Sequence, residues 1–211
     1  MVKFSVIITT YNRAEFLKNA LDSLIAQTEN DWEAIVIDDG SIDNTTAIVQ
    51  QYIHQEYPIK YYKQINSGDA LAKNKGISLS SGEFITFLDS DDAYEMHHLE
   101  NRKNILDQHK NIQLLHGGVK IIGDEFVPDI HNLNQQIHLS DCVIGATFFI
   151  RRDIISLVNG FKPMVLGSDA DLFERATMLG LNIMKTDIPT YIYNRVNENS
   201  ITHQFAKSAK Q

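Results

Sequence analysis

From Phe4 to Leu88, short runs rich in β-branched and aromatic residues alternate with segments of helical apolar spacing. Few folds satisfy such an alternation. Phe4 to Thr10 reads as a buried strand. Leu17, Ala20, Leu21, Leu24 and Ile25 then recur at the spacing of one helix face, with Asn12 as candidate N-cap and Glu15 three residues on, as in a capping box. Glu33 to Ile37 is the second strand and Asn44 to Gln55 the second helix, which Asp43 can cap. Ile59 to Lys63, Asp69 to Leu79 and Phe84 to Leu88 continue as strand, helix and strand. Strands alternating with helices of this length predict an α/β fold with a doubly wound, mostly parallel sheet and right-handed crossovers.

Beyond Asp92 the pattern loosens. The spacing predicts a helix over His97 to His109 and short strands at Ile112 to Leu115, Val119 to Ile122 and Thr147 to Ile150. Helices over Arg152 to Val158 and Asp171 to Leu179 follow, the second stopped by Gly180, before strands at Leu181 to Lys185 and Thr190 to Tyr193. Gly123 to Ser140, polar and with few periodic apolar positions, reads as a long loop or lid. With no internal repeat or linker, and 43% hydrophobic content over 211 residues, one domain spanning 1–211 is expected.

Four polar clusters fall on this frame. Thr10-Tyr11-Asn12-Arg13 ends the first strand, Asp38-Asp39-Gly40-Ser41 the second, Asn66-Ser67-Gly68 follows the third, and Asp89-Ser90-Asp91-Asp92 ends the fourth. In an open parallel sheet the carboxyl ends of the strands line one crevice, where ligands bind. Asp39-Gly40-Ser41 alone is compatible with an ordinary turn. A buried Asp38, however, needs hydrogen-bond donors, and the N–H groups of a nucleobase or the hydroxyls of a ribose would serve. Three carboxylates within Asp89 to Asp92 repel one another, and a hard cation, Mg²⁺ or Mn²⁺, bridging them to a diphosphate relieves that repulsion. A dinucleotide-binding glycine fingerprint is absent from Thr9 to Ala14, and so is a P-loop. A phosphatase using Asp89 and Asp91 fits the last cluster but leaves the first two without a task.

Ser5 to Arg13, Val36 to Thr45, Ala72 to Ile77 and Phe87 to Asp92 resemble, in order and spacing, the successive signatures of family 2 glycosyltransferases. Asn159-Gly160-Phe161, Ser168 to Arg175, Tyr193-Asn194-Arg195 and Asn199 to Thr202 extend the resemblance more sparsely. It implies a GT-A fold, with 1–92 as a nucleotide- and metal-binding half and 93–211 as an irregular acceptor-binding half. It further implies inverting, metal-assisted transfer of a hexosyl unit from a nucleoside-diphosphate sugar, typically UDP-linked, to an acceptor hydroxyl in polysaccharide biosynthesis. Thr10, Tyr11, Arg13, Asp38 or Asp39, Lys73 and Asp89 would hold the nucleotide. Asp91, with Asp89, would hold Mn²⁺ or Mg²⁺, and Asp169 would be the general base, although the same residue could instead cap the following helix. Arg195 and His203 could close over the diphosphate. The family usually has Glu-Asp where this chain has Ser168-Asp169, and Arg where it has Lys73. The change at Ser168 also leaves room for a non-catalytic module that binds nucleotide sugars.

A formal net charge of −8 argues against nucleic acid as a partner. The single cysteine, Cys142, excludes an internal disulfide and reads as a buried small hydrophobe. The N-terminal run lacks the basic and cleavage regions of a signal peptide, and Cys142 to Ile150 is about half of what a membrane helix needs. The expectation is a cytoplasmic chain without a membrane span, reaching a carbohydrate or lipid-linked acceptor by peripheral contact at the inner face of the membrane.

Overall fold

In the computed structural model, which describes residues 2–129, 132–164 and 166–196, the first half follows the predicted alternation closely. β1 (Phe4–Thr10), α1 (Ala14–Ile25), β2 (Trp32–Asp38), α2 (Thr45–His54), β3 (Ile59–Lys63), α3 (Asp69–Leu79) and β4 (Phe84–Phe87) succeed one another. β5 (Ala93–Tyr94), α4 (His98–Gln108), β6 (Leu114–Gly123), β7 (Phe126–Asp129), β8 (Asn132–His138), β9 (Phe149–Arg151), α5 (Ser168–Met178) and β10 (Ile183–Arg195) complete the chain. Eight strands form one sheet in the order β3-β2-β1-β4-β9-β6-β10-β5. β9 is antiparallel to both neighbours and β5 to β10, and the other pairs are parallel.

Alternation along β1 explains the layering. Phe4, Val6 and Ile8 face Leu17, Leu21 and Leu24 of α1, with Val49 and Tyr52 of α2 and Leu99 and Leu106 of α4 in the same core. Ile7 faces the opposite side, where Ala70 of α3 and Leu172 and Ala176 of α5 pack with Phe87, Phe148 and Phe161. A sheet covered on both faces needs strands apolar throughout, and every residue of β2 is buried. Removing the Leu21 side chain from this core would cost about 3 kcal/mol.

Several expectations need correction. Asn12 does not cap α1. It adopts φ +51°, its side-chain oxygen accepts from the Ile42 amide at 2.9 Å, and α1 begins at Ala14. The role passes to Asp43, which accepts from the Ala14 amide at 3.0 Å and from the Thr45 amide at 3.0 Å, so one carboxylate serves the first turns of both α1 and α2. Adjacency of β1 and β2 makes this possible. The segment 123–140 is not a loop: β7 and β8 pair antiparallel with Val127 opposite Ile137. Only a short 3₁₀ turn, Arg152–Ile154, forms where a helix over 152–158 is expected, and α5 starts three residues early, at Ser168.

The expected pairs of short strands fuse into β6 and β10, whose mutual register shifts between Thr186 and Tyr191. Gly117 and Gly118 keep β6 continuous through positive φ, and a β-carbon on Gly118 would lie 2.2 Å from the Ile188 carbonyl oxygen. Buried Arg102 of α4 clasps this irregularity, donating to the carbonyls of Gly117 at 3.0 Å and Ile188 at 3.2 Å. Cys142 is half-buried, not buried. Among the described residues no helix is long and apolar enough to cross a membrane.

At the amino-terminal edge of the sheet, Glu33 ties three strands together. It accepts from Ser5 and from the Ser81 amide and hydroxyl, each at 2.7 Å, and pairs with Lys60 at 2.7 Å. Burial alone would push its carboxyl up, but the hydrogen bonds from Lys60, Ser5 and Ser81 outweigh it and bring it from 4.5 down to about 2. A depressed folded-state value adds stability above the unfolded value and loses it as pH falls. Glu33→Gln should therefore lower stability by about 2 kcal/mol at pH 7. The difference should shrink between pH 4.5 and about 2. Urea unfolding of the two proteins across that range checks this, and equal midpoints at pH 7 would refute it.

Candidate functional site

Parallel register brings the polar clusters to one edge: Thr10 is level with Asp38, and Asp38 with Lys63. The second cluster is mostly consumed by the fold. Asp38, fully buried, accepts from the Ser41 amide at 2.7 Å and from the Tyr61 hydroxyl at 2.5 Å. Burial and then this hydrogen bond to Asp38 push the Tyr61 phenol up to about 12. Asp39 accepts from the amides of Ser67 at 2.9 Å and Gly68 at 2.8 Å and from the Gln64 side chain at 2.8 Å, which joins the second cluster to the third. Thr10 is buried, its hydroxyl has no partner among the described residues, and its carbonyl accepts from the Asp39 amide at 2.9 Å. Tyr11, 49% exposed, projects from the rim.

Deeper in the crevice the charges interlock. Lys73, one turn into α3, donates to Asp69 at 2.9 Å, lies 3.4 Å from Asp89 and sits 5.8 Å from the centre of the Phe161 ring. Burial would lower the Lys73 ammonium, yet Asp69 and Asp89 raise it, with a further contribution from Asp169. Lys73 is therefore a fixed cation. Asp89 is pushed up by burial and by Asp69 and Asp91, against the pull of Lys73. Arg13 is paired with Asp91. The Phe161 backbone is fixed from α3: Asn74 donates to its carbonyl at 2.7 Å and accepts from its amide at 2.8 Å.

The fourth cluster divides. Asp92 turns inward, 1% exposed, and accepts from the Tyr191 hydroxyl at 2.6 Å and the Asn194 amide at 2.8 Å. Burial and the neighbouring Asp89 push its carboxyl well up. Two carboxylates of this cluster, not three, thus remain at the crevice. Among the described residues no three His, Cys, Asp or Glu side chains converge as a ready-made cation site. Asp89 and Asp91 are a donor set suited to Mg²⁺ or Mn²⁺ shared with phosphate oxygens, since such ions are held by one or two carboxylates and complete their shell elsewhere.

Asp169 lies in the first turn of α5, where its two oxygens accept from the Gly145 amide at 3.0 Å and the Ala170 amide at 2.9 Å. The approach to Gly145 is close enough that a β-carbon there would lie 2.5 Å from that of Asp169. A cavity of about 310 Å³ opens beside it, between the β7–β8 hairpin, the 139–144 segment and the start of α5. Asp171 is held apart, paired with Lys162 at 2.9 Å and Arg175 at 2.5 Å.

The structure thus assembles Arg13, Lys73, Asp89 and Asp91 with Asp169 within electrostatic reach, and leaves Asp38, Asp39 and Thr10 in the wall behind the rim. Arg195 is buried, donates to the Phe126 carbonyl at 3.1 Å and lies 4.0 Å from Asp124. His203 and the stretch 199–202 lie outside the described residues. Sequence reasoning missed Asp69, although its spacing from Lys73 is the helical ion-pair signature. It also missed Tyr191 and Asn194, whose link to Asp92 has no local signal.

Removing the Lys73 charge would leave Asp69 and Asp89 facing each other, and Lys73→Met should destabilise the fold by about 3 kcal/mol. Millimolar Mn²⁺ should raise the unfolding temperature of the variant, and raise that of the parent protein less. Thermal unfolding with Mn²⁺ and with chelator checks this, and a variant indifferent to the ion would contradict the assignment of these carboxylates as cation ligands.

Comparison with known proteins agrees with this geometry. Residues 5–156 match the family described as glycosyl transferase family 2. The chain is 30% identical over 220 residues to the putative teichuronic acid biosynthesis glycosyltransferase TuaG of Bacillus subtilis, covering 98% of this chain and 84% of that protein. Of three other relatives the matched stretch makes up only 14% to 36% of the length. Among solved structures, the 1–349 portion of S. aureus TarS in complex with UDP-GlcNAc superposes with TM-score 0.78 at 24% identity, covering 94% of this chain and 60% of that one. The mannosyltransferase PcManGT from Pyrobaculum calidifontis, in complex with GDP-Man and Mn²⁺, gives TM-score 0.73 at 20% identity, covering 100% and 65%. The eight-stranded, mostly parallel sheet is therefore of the GT-A type, and the chain belongs to glycosyl transferase family 2.

Proposed function

We propose that the chain transfers a hexosyl unit from a nucleoside-diphosphate sugar, UDP-linked in the first instance, to a hydroxyl of a carbohydrate or lipid-linked acceptor, with inversion and with Mn²⁺ or Mg²⁺. The observation that carries this reading is the interlocked set of two cations and three carboxylates at one strand-end crevice, Arg13 with Asp91 and Lys73 with Asp69 and Asp89. A metal diphosphate carries the same alternation of charge. On binding, Arg13 and Lys73 would exchange carboxylate for phosphate oxygens, which frees Asp89 and Asp91 as ligands. The metal would supply charge stabilisation to the leaving diphosphate.

Support comes from the relatives. TarS is solved with UDP-GlcNAc and PcManGT with GDP-Man and Mn²⁺, and TuaG bears the name of a teichuronic acid biosynthesis glycosyltransferase. On this reading 1–92 forms the donor half, with Thr10, Tyr11 and Asp38 or Asp39 around the nucleoside, and 93–211 the acceptor half of one domain. Asp38 and Asp39 act chiefly by shaping the wall, through their hydrogen bonds to Ser41, Tyr61, Ser67 and Gly68. The chain works on the cytoplasmic side and meets a lipid-linked acceptor by peripheral contact.

In the reaction the acceptor oxygen forms a bond to the anomeric carbon from the face opposite the leaving group. The bond to the diphosphate oxygen breaks, its electron pair leaves with the diphosphate, and the acceptor proton passes to Asp169. The amides of Gly145 and Ala170 orient that carboxylate. Asp92 and Asp171 are committed elsewhere and do not compete for this task.

Asp169→Asn should lower turnover about 10² to 10⁴-fold with donor binding near normal, because the amide keeps the shape but takes no proton. Full activity in that variant, or retained configuration by NMR, would rule out the assignment. Asp91→Ala should remove the dependence of UDP binding on divalent ion. Calorimetry in Mn²⁺ and in excess chelator reads this directly, and equal affinity of the parent protein in both would remove the metal from the mechanism.

A further inference from the structure

We infer that the cavity beside Asp169 takes an uncharged sugar and excludes sugars bearing phosphate or carboxylate. The word acceptor for that sugar rests on the transferase reading; the charge preference rests on the cavity alone.

With about 310 Å³ the cavity is at the small end of the range for ligand pockets, about 300–1,000 Å³. Among the described residues four carboxylates line it, Asp129, Asp141, Asp169 and Glu174, and no Lys, Arg or His does. Lys162 and Arg175 pair with Asp171, whereas buried Arg195, 6.0 Å from the centre of the Tyr193 ring, brings a single positive charge to the wall against the four carboxylates. An anionic group entering here would give up its hydration among like charges. Neutral hydroxyls, by contrast, are donors, and ionised carboxylates are acceptors only. The rest of the wall is mostly apolar and includes the aromatic side chains of Phe173 and Tyr193, which suit the C–H face of a pyranose. Phe173 is held in place, stacked on Phe148 at 6.2 Å and edge-on to His116 at 4.9 Å. Enclosure, aromatic surface and donor-seeking charge together select an uncharged polyol.

Cys142, the only cysteine, lines the same cavity and serves as an internal probe. Burial and then Asp169, Asp141 and Asp129 push its thiol up, against a smaller opposing pull from Arg195, so the same carboxylates dominate the field at the thiol. Its modification rates with a cationic reagent, 2-(trimethylammonium)ethyl methanethiosulfonate, and an anionic one, 2-sulfonatoethyl methanethiosulfonate, should be compared at low salt with those of a free thiol. The cation-to-anion ratio should exceed that of the free thiol by about tenfold or more. It should fall toward the free-thiol value in Asp141→Asn/Glu174→Gln, two exposed positions outside the donor crevice. A ratio equal to that of the free thiol would overturn the proposal. So would a thiol that reacts with neither reagent, since the cavity would then be closed.

Turnover separates the two readings. For any acceptor that the enzyme uses, the analogue carrying a uronate should lose about 30-fold or more in kcat/KM, and the double variant should narrow that gap. Equal or better use of the uronate would overturn the charge preference and leave the transferase reading intact. A strong labelling ratio with no donor turnover on any acceptor would do the reverse.

Discussion

Lys73 stands between Asp69 and Asp89, and the crevice is organised around that contact. Carboxylates crowded at the carboxyl ends of neighbouring strands repel one another, and without a fixed positive charge the sheet edge would be expelled toward water or filled with protons. α3 places its ammonium there because Asp69 and Lys73 share one helix face and the helix packs against β1 and β2. The Phe161 ring beside it, pinned through Asn74, limits its access to solvent. The cation is strong because it is enclosed by anions, and the anions tolerate burial because of the cation.

Within this frame the acidic residues divide their tasks. Asp38, Asp39, Asp43 and Asp92 accept from amides and hydroxyls of neighbouring elements, so they shape the loops and couple β2 and the loop after it to α1 and to the β3–α3 turn, and the segment after β4 to β10. Among the described residues the carboxylates of Asp89 and Asp91 are held by the side-chain cations of Lys73 and Arg13, which a phosphate can displace. Asp169 is held by two amides that a substrate need not disturb. A backbone hydrogen bond to a carboxylate is architecture, and a side-chain ion pair at a crevice is exchangeable. That difference separates wall from site among residues of the same chemical type.

Legibility follows the range of the interactions. Asp69 to Lys73 could have been read as a helical pair, and Asp89 and Asp91 were readable as a cluster. The commitment of Asp92 was not, because its partners Tyr191 and Asn194 come about a hundred residues later through β10. Asn12 looked like a cap from its neighbours, but the Ile42 amide, brought close by β1–β2 pairing, competes for its oxygen. The β7–β8 hairpin lacks alternating apolarity, and its cross-strand pairing, such as Val127 with Ile137, joins positions ten residues apart that no local period marks.

The amino-acid sequence by itself determined the α/β alternation of the first half, the gathering of four polar clusters at one sheet edge and the family resemblance. Each of these depends on local period and turn chemistry over a few residues. Only the tertiary structure decided that β6 and β10 are continuous strands bent at Gly117 and Gly118, that Cys142 lines a cavity, and that Asp169 meets Gly145 across the site. Those features arise where distant segments compete for the same hydrogen-bond donors and the same space, and sequence spacing carries no record of that competition.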